Sequence, residues 1–370
     1  MAENLDQVYM QRVLALAKFG RGHVSPNPRV GALVVNPDGE VLGEGYHVHY
    51  GGPHAEVVAL HACKGKDLSH ATLYVNLEPC CFKGKTPACT EAVIKSGIKR
   101  VVAATKDPHP RVNGLGFATL RDAGIDIIVG VSAEKARYLN RGIFSFHERG
   151  RAWCTVKIAL SIDGKMSNKD GESKWISGPE ARKLAHALRA DHDGVLVGGT
   201  TVKNDDPELT VRSVRGVNPV RLILSPNSGI PEKSKLSTTA QDVRTVLITG
   251  KGQGQAVLGN PDIEVLQFET DDTDKIDPHK LLEALPEKGV LSVLIEGGAK
   301  VLSSFMQADV IDEIVVAVAP TIVGKGISPF DGFNPSSWEG RPQFATQAYK
   351  RYGRDVVIFY RRESSSFSQD

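Results

Sequence analysis

The sequence has no apolar run approaching the roughly 18 residues of a membrane-spanning helix. It has almost no net charge, 45 basic against 43 acidic side chains, so no strong attraction to nucleic acid or to an anionic membrane is expected. The G-x-G-x-x-G fingerprint is absent, which leaves a Rossmann reading poorly supported. The start, Met1-Ala2-Glu3-Asn4-Leu5-Asp6, lacks a basic segment followed by an apolar one and does not read as a signal peptide. Cysteine is scarce, with only Cys63, Cys80, Cys81, Cys89 and Cys154. An odd, sparse set without an export signal argues against a disulfide framework and for reduced thiols in the cytoplasm. Cys63 falls in a helix-like stretch and Cys154 in a strand-like one, where a free thiol packs as a small hydrophobe.

What is present is an ordinary globular composition, 41% apolar and 24% charged, in a chain of 370 residues that suggests two to three domains. Helical and strand patterns alternate through the first half. Asp6 to Phe19, Glu56 to Ala62, Cys89 to Ser96 and Leu115 to Ala123 read as helices. Gly31 to Val35, Val41 to Tyr46, Ala71 to Leu77, Lys99 to Thr105 and Ile125 to Val129 read as strands. Such alternation predicts a sheet covered by helices on both faces. Ser132 to His147 reads as a polar helical connector. A second alternating pattern starts at Trp153 and closes with a hairpin, Phe344 to Tyr349 and Asp355 to Arg361. The expected domains are therefore 1–149 and 150–362. The serine-rich tail 363–370 is expected to be disordered. No internal repeat is evident.

The chemistry is concentrated in His54-Ala55-Glu56, Pro79-Cys80 and Cys89. One imidazole and two thiolates make a three-ligand zinc site, whereas structural zinc is normally closed by four protein ligands. His54 opens a helix, Cys80 ends a strand and Cys89 opens the next helix, so the three can converge. Cys81 is the alternative donor, and a site it closed would be structural. Neighbours in a strand point to opposite faces, which argues against Cys80 and Cys81 sharing one ion. A zinc ion lowers the pKa of water from 15.7 towards about 7. Glu56 is then the expected proton shuttle between water, ring nitrogen and departing ammonia, as in zinc deaminases. A nucleic-acid base deaminase and a zinc-stabilised binding module remain as competing readings; the near-zero net charge weighs against the first.

Three segments together resemble the bifunctional pyrimidine deaminase/reductase family of bacterial riboflavin biosynthesis. They are Asn27-Pro28-Arg29-Val30-Gly31-Ala32, Gly51-Gly52-Pro53-His54-Ala55-Glu56, and Leu77-Glu78-Pro79-Cys80 through Gly84-Lys85-Thr86-Pro87-Ala88-Cys89. Eight residues between the cysteines is the spacing usual in that family. The resemblance implies a cytidine-deaminase-like three-layer α/β/α domain. It also implies that Asn27 and His47 line the pyrimidine pocket and that Lys85 contacts the substrate phosphate. The chain departs from the family at Cys81-Phe82-Lys83, where Ser-His-His or Ser-His-Tyr is usual, and at His109, where asparagine is usual.

In the second half, Val197-Gly198-Gly199-Thr200-Thr201 and Glu296-Gly297-Gly298-Ala299 are glycine-rich strand-to-helix turns that could let a phosphate approach helix amides. Taken alone, each is better explained by plain tight turning. The segments Lys157 to Lys165, Gly171 to Ser177 and Asp205 to Arg212 resemble the reductase half of the same family, which implies a dihydrofolate-reductase-like α/β domain using NADPH. The resemblance places the reductase substrate near Lys157, Ser173, Arg189, Leu209, Arg212 and Glu296. It places the cofactor near Ala159, Trp175, Thr201 and Asp205, and along Gly298, Ala299, Lys300, Val301, Leu302, Ser303 and Ser304. Lys157 and Asp205 are the candidate donors of a proton to the opening sugar, and Ser225 stands where aspartate is common. The implied partners are phosphoribosylaminopyrimidines and other copies of the chain in a homo-oligomer, with no nucleic acid and no membrane.

Overall fold

The computed structural model describes residues 5–172, 175–252, 260–335 and 337–363. The chain divides into two units, with the break between Gly150 and Arg151. Ser173 and the tail beyond residue 363 lie outside the described residues.

In the first unit, β1 (Gly31–Val35), β2 (Val41–Tyr46), β3 (Thr72–Val75), β4 (Arg100–Ala103) and β5 (Asp126–Val129) form one sheet in the order β2-β1-β3-β4-β5. β1 is antiparallel to β2 and β3, while β3, β4 and β5 are parallel. The helices are α1 (Leu5–Ala17), α2 (Ala55–Ala62), α3 (Cys89–Lys95), α4 (Leu115–Asp122), α5 (Ala133–Leu139) and α6 (Arg141–Arg149). Successive residues of β1 serve opposite faces of the sheet. Ala32 and Val34 pack with Ala59, Val93 and Phe117 of α2, α3 and α4. Leu33 and Val35 pack with Met10, Val13 and Ala136 of α1 and α5. A strand covered on both sides has no polar face, which is why this one reads as an unbroken apolar run.

The expected connector at Ser132 to His147 is instead part of this unit. Its Ala136, Asn140 and Phe144 are buried. Asn140 Oδ1 accepts the Arg29 N–H (2.8 Å), and its Nδ2 donates to the Arg29 carbonyl (3.0 Å). Asn76 repeats the arrangement one step on, accepting the Gly31 N–H (2.8 Å) and donating to the Arg29 carbonyl (3.0 Å). Two asparagine amides thus fix the chain just after Asn27.

The second unit holds β6 (Trp153–Leu160), β7 (Ser167–Asn168), β8 (Gly194–Gly198), β9 (Val220–Leu224), β10 (Thr245–Gly250), β11 (Ile263–Phe268), β12 (Ser292–Gly297), β13 (Glu313–Val318), β14 (Gly326–Ile327), β15 (Phe344–Tyr352) and β16 (Asp355–Arg362). Nine of them make a sheet in the order β11-β10-β9-β8-β12-β6-β13-β16-β15. It is parallel from β11 to β13 and ends in the antiparallel hairpin β15–β16. Its helices are α7 (Pro179–Asp191), α8 (Gly199–Asp205), α9 (Lys235–Thr238), α10 (Pro278–Ala284) and α11 (Ala299–Gln307). α10 and α11 cover one face with Leu281, Leu302 and Phe305. Residues of α7, α8 and α9, including Ala181, Val202 and Leu236, cover the other. β7 and β14 pair only with each other, a two-residue ladder too short to leave a periodic signal. Among the described residues no helix is long and apolar enough to cross a membrane.

Two glycines of β2 set the seat of α2. A Cβ on Gly43 would lie 2.5 Å from the Ala59 carbonyl oxygen and from Cys63 Sγ, and one on Gly45 would lie 2.7 Å from Val58. Gly43→Ala is therefore expected to destabilise the first unit by about 1–3 kcal/mol, the usual cost of overpacking. The readout is a lowered urea midpoint at constant slope; an unchanged midpoint would contradict this packing.

Candidate functional sites

Two helix starts and a loop carry the donors of the first site; Cys80, expected to end a strand, lies five residues beyond the last residue of β3, Val75. His54 is the N-cap of α2, Cys89 is the first residue of α3, and Cys80 follows β3. The donor atoms of His54, Cys80 and Cys89 all lie within 4.8 Å of one another. His54 Nδ1 is 3.2 Å from Cys89 Sγ and 3.5 Å from Cys80 Sγ. With Zn–S near 2.3 Å and Zn–N near 2.0–2.1 Å, ligands on adjacent tetrahedral corners lie roughly 3.5–4 Å apart, so donor set and spacing both fit zinc. The Cys89 thiol hydrogen-bonds to Cys80 and holds Cys80 well below the ordinary thiol range, and the same bond raises Cys89. The pair thus shares a proton that a cation would replace. Thr86 Oγ1 lies 3.4 Å from His54 Nε2, a partner that orients the ring. Cys81 is outside the cluster, its Sγ directed to the Arg111 carbonyl (3.5 Å). Among the described residues no fourth donor joins the group.

Glu56, in the first turn of α2, is 3% exposed. Burial pushes its carboxyl up to about 7, with the Cys80 thiolate adding and His54 opposing. It opens onto a cavity of about 260 Å³. Asn27, His47 and Lys85 line the same cavity. His47 Nδ1–H donates to the Pro53 carbonyl (3.0 Å), which leaves Nε2 to accept from Asn27 Nδ2 (3.3 Å). Burial lowers its pKa, so the ring is neutral. Sequence reasoning missed Glu78 as a support. Its carboxylate accepts the N–H groups of Asp107 (3.2 Å), Gly114 (2.9 Å) and Phe117 (3.0 Å), tying the loop after β4 to the cysteine segment. Nothing in its spacing signals this, because all three partners are backbone.

The second site is a cavity of about 730 Å³ at the C-terminal ends of parallel strands. Lys157, Ala159, Trp175, Arg189, Thr201, Asp205, Leu209, Arg212, Glu296, Gly298 and Leu302 line it. Arg189 grips Glu296 bidentately, Nε to Oε1 and Nη2 to Oε2 both at 2.6 Å, and its Nη1 donates to the Thr210 carbonyl (3.0 Å). Burial works to raise Glu296, yet the Arg189 charge holds it below the usual carboxylate range. Burial lowers Lys157, with Glu296 opposing. Arg212 pairs with Glu208. Leu209 is held at φ +54° with its side chain 2% exposed, a strained backbone kept in place by the core.

Of the other α11 positions, Ala299, Lys300, Val301, Ser303 and Ser304 do not line this cavity. Val301 packs in the core, and Ser303 Oγ accepts the Gly332 N–H (3.1 Å). The turn itself is a close fit: a Cβ on Gly298 would lie 3.2 Å from Thr201 Oγ1, and one on Gly199 would lie 2.4 Å from Ser225 Oγ. Only bare backbone lets these turns pack against Thr201 and Ser225. Arg182, Lys183 and His186 of α7 also line the cavity and were missed. Arg182, His186 and Arg189 recur every three to four residues, a basic stripe that a helical reading could have found.

Residues 3–105 match the family model of the cytidine and deoxycytidylate deaminase zinc-binding region. Residues 152–358 match that of the RibD C-terminal domain. The chain is 42% identical over 364 residues to the riboflavin biosynthesis protein RibD of Aquifex aeolicus, covering 98% of this chain and 100% of that one. It is 34% identical to RibD of Escherichia coli, covering 95% and 98%. The crystal structure of a diaminohydroxyphosphoribosylaminopyrimidine deaminase/5-amino-6-(5-phosphoribosylamino)uracil reductase from Thermotoga maritima superposes with a TM-score of 0.87 at 36% identity, covering 97% and 99%. With both family models matched, both sites formed and nearly full-length likeness, the chain belongs to the RibD family of riboflavin biosynthesis proteins, which join a zinc-dependent deaminase to an NADPH-dependent reductase.

Proposed function

We propose that residues 1–149 deaminate 2,5-diamino-6-(5-phosphoribosylamino)pyrimidin-4-one and that residues 150–362 reduce the ribosyl chain of the product, 5-amino-6-(5-phosphoribosylamino)uracil, to ribityl. The observation that carries the first step is a buried carboxylate beside three metal donors, with no fourth among the described residues. His54, Cys80 and Cys89 would hold the zinc, which supplies Lewis acidity that makes water nucleophilic near neutral pH. Glu56 takes a proton from water at a carboxylate oxygen and returns it to the ring nitrogen and the leaving ammonia. A carboxyl raised to about 7 suits both halves of that shuttle. Asn27 and neutral His47 hold the pyrimidine edge, and Lys85 takes the phosphate.

In the second step Ala159, Trp175, Thr201, Asp205, Gly298 and Leu302 would hold NADPH, which would supply the hydride when bound; Ala299, Lys300, Val301, Ser303 and Ser304 stand outside this cavity. Arg189, Leu209, Arg212 and Glu296 position the substrate, as does Ser173, which lies outside the described residues. Lys157 is the proposed acid for the opening sugar oxygen, since a burial-lowered ammonium gives up its proton more readily. Asp205 is the other candidate. The protein is proposed to act in the cytoplasm, where thiol ligands stay reduced, and as a homo-oligomer. The edge strand β15, with Tyr349 exposed on it, suits self-association. A monomeric mass by light scattering would contradict that last part.

Glu56→Gln is expected to keep one zinc per chain and to slow ammonia release about 10²–10⁴-fold, with reduction of the deaminated intermediate unaffected; unchanged ammonia release would remove Glu56 from the chemistry. Arg212→Ala is expected to raise the KM for that intermediate about 10- to 100-fold, the range for losing a charge-assisted phosphate contact, with ammonia release unaffected. An unaltered KM would place the phosphate elsewhere.

A further inference from the structure

His147 belongs to no motif read from the sequence and lies beyond residues 3–105, the segment matching the deaminase family model. Helix α6 nevertheless brings it to the deaminase cavity, beside Phe82 and His109. Phe82 and His109 stack with ring centroids 5.7 Å apart at 30°, and His147 meets His109 edge-on at 5.0 Å and 63°. Phe82 and His109 are also the positions where this chain departs from the residues usual in its family. The two departures therefore pack on each other, and His147 completes the group.

Local hydrogen bonds make this a fixed surface. Asp107 Oδ1 accepts the His109 N–H (2.8 Å), and His109 Nδ1 accepts the Arg111 N–H (3.1 Å). The Arg111 guanidinium lies over the Phe82 ring at 3.9 Å. With Nδ1 accepting, a neutral His109 ring carries its proton on Nε2. Burial lowers the pKa of both His109 and His147, and the charges of Arg111 and His109 add respectively. A neutral imidazole offers one donor and one acceptor, a match for hydroxyl groups rather than for a phosphate dianion. Among the described lining residues Lys85 is the only lysine or arginine of this cavity, and its Nζ sits 4.0 Å from the Tyr50 ring centroid.

We propose that Phe82, His109 and His147 form an aromatic wall that recognises the sugar of the deaminase substrate, with His147 as a specificity-determining residue. The rings pack against ribose carbons, the His147 nitrogens and the His109 Nε2–H pair with its hydroxyls, His109 Nδ1 being taken by the Arg111 N–H, and Lys85 is left to the phosphate. This inference rests on the substrate reading given above.

The test uses the full-length zinc-loaded enzyme and three substrates: the phosphoribosylaminopyrimidine, its dephosphorylated ribosyl analogue and the free aminopyrimidine base. His147→Ala is expected to raise KM about 3- to 10-fold for both sugar-bearing substrates, the size of one neutral hydrogen bond. The kcat values and all constants for the free base stay unchanged. His147→Gln, which keeps a donor and an acceptor, is expected to restore KM. Zinc content and reductase turnover of the same preparations report folding; should His147→Ala lose zinc, His147→Phe, which keeps a ring but removes both nitrogens, is measured against the same three substrates with the same expectation. An equal loss on the free base would make His147 a support of the metal centre and overturn the inference. A loss confined to the phosphorylated substrate, or no change in KM, would overturn it as well. Failure of the unmodified enzyme to release ammonia from any of the three would overturn the substrate reading and the wall with it.

Discussion

The first unit is organised around two thiols and an imidazole forced into hydrogen-bond range of one another. Two stand at helix starts and Cys80 in the loop between β3 and α3, so the site depends on how those segments dock. The Cys89 N–H donates to Cys80 Sγ at 3.4 Å, and the Thr90 N–H donates to the Cys80 carbonyl at 3.1 Å. The first turn of α3 thus aims one amide at the Cys80 sulfur and the next at its carbonyl, an electrostatically favourable arrangement for a thiolate. α2 is seated by the bare backbone of Gly43 and Gly45. The acid that serves the site then needs no device of its own: two residues after His54 in the first turn of α2, it is buried by the same packing.

The second unit solves its problem with a sheet edge. β6, β8 and β12 end side by side and deliver Lys157 and Ala159, the Gly198-Gly199 turn, and Glu296 with the Gly297-Gly298 turn. That is where parallel α/β sheets gather ligands. The Arg189–Glu296 pair sits in the cleft as a preformed charged clamp whose members are each 13% exposed. Burial would raise the carboxyl were the arginine absent, so the pair keeps Glu296 ionised in a place where a lone carboxylate would not be. Leu209, strained at φ +54° and locked into the core, fixes the loop that brings Arg212 to the same cleft.

Much of this was legible in the residues. The strand Gly31–Val35 follows from an apolar run long enough to be covered on both faces. The three metal donors and Glu56 were readable because their spacing is constrained by chemistry. The helices α5 and α6 were misjudged as a connector because their buried residues, among them Asn140, Arg141 and Ser145, are polar. Polar burial is set by partners elsewhere in the chain, and a local pattern carries no trace of them. The same reason hides Glu78, whose partners are backbone amides, and His147, whose place at the cavity depends on how α6 packs. The family resemblance supplied the reductase positions; the basic stripe of α7 was available from periodicity alone and went unread.

The account stands on a metal held by one nitrogen and two sulfurs of this chain, with room for solvent. X-ray absorption at the zinc edge of the purified protein measures that shell directly. It should give two sulfur scatterers near 2.3 Å and two nitrogen or oxygen scatterers near 2.0–2.1 Å, one from His54 and one exchangeable. A third sulfur, which only Cys81 is near enough in sequence to supply, or an ion saturated by four protein donors, would contradict it.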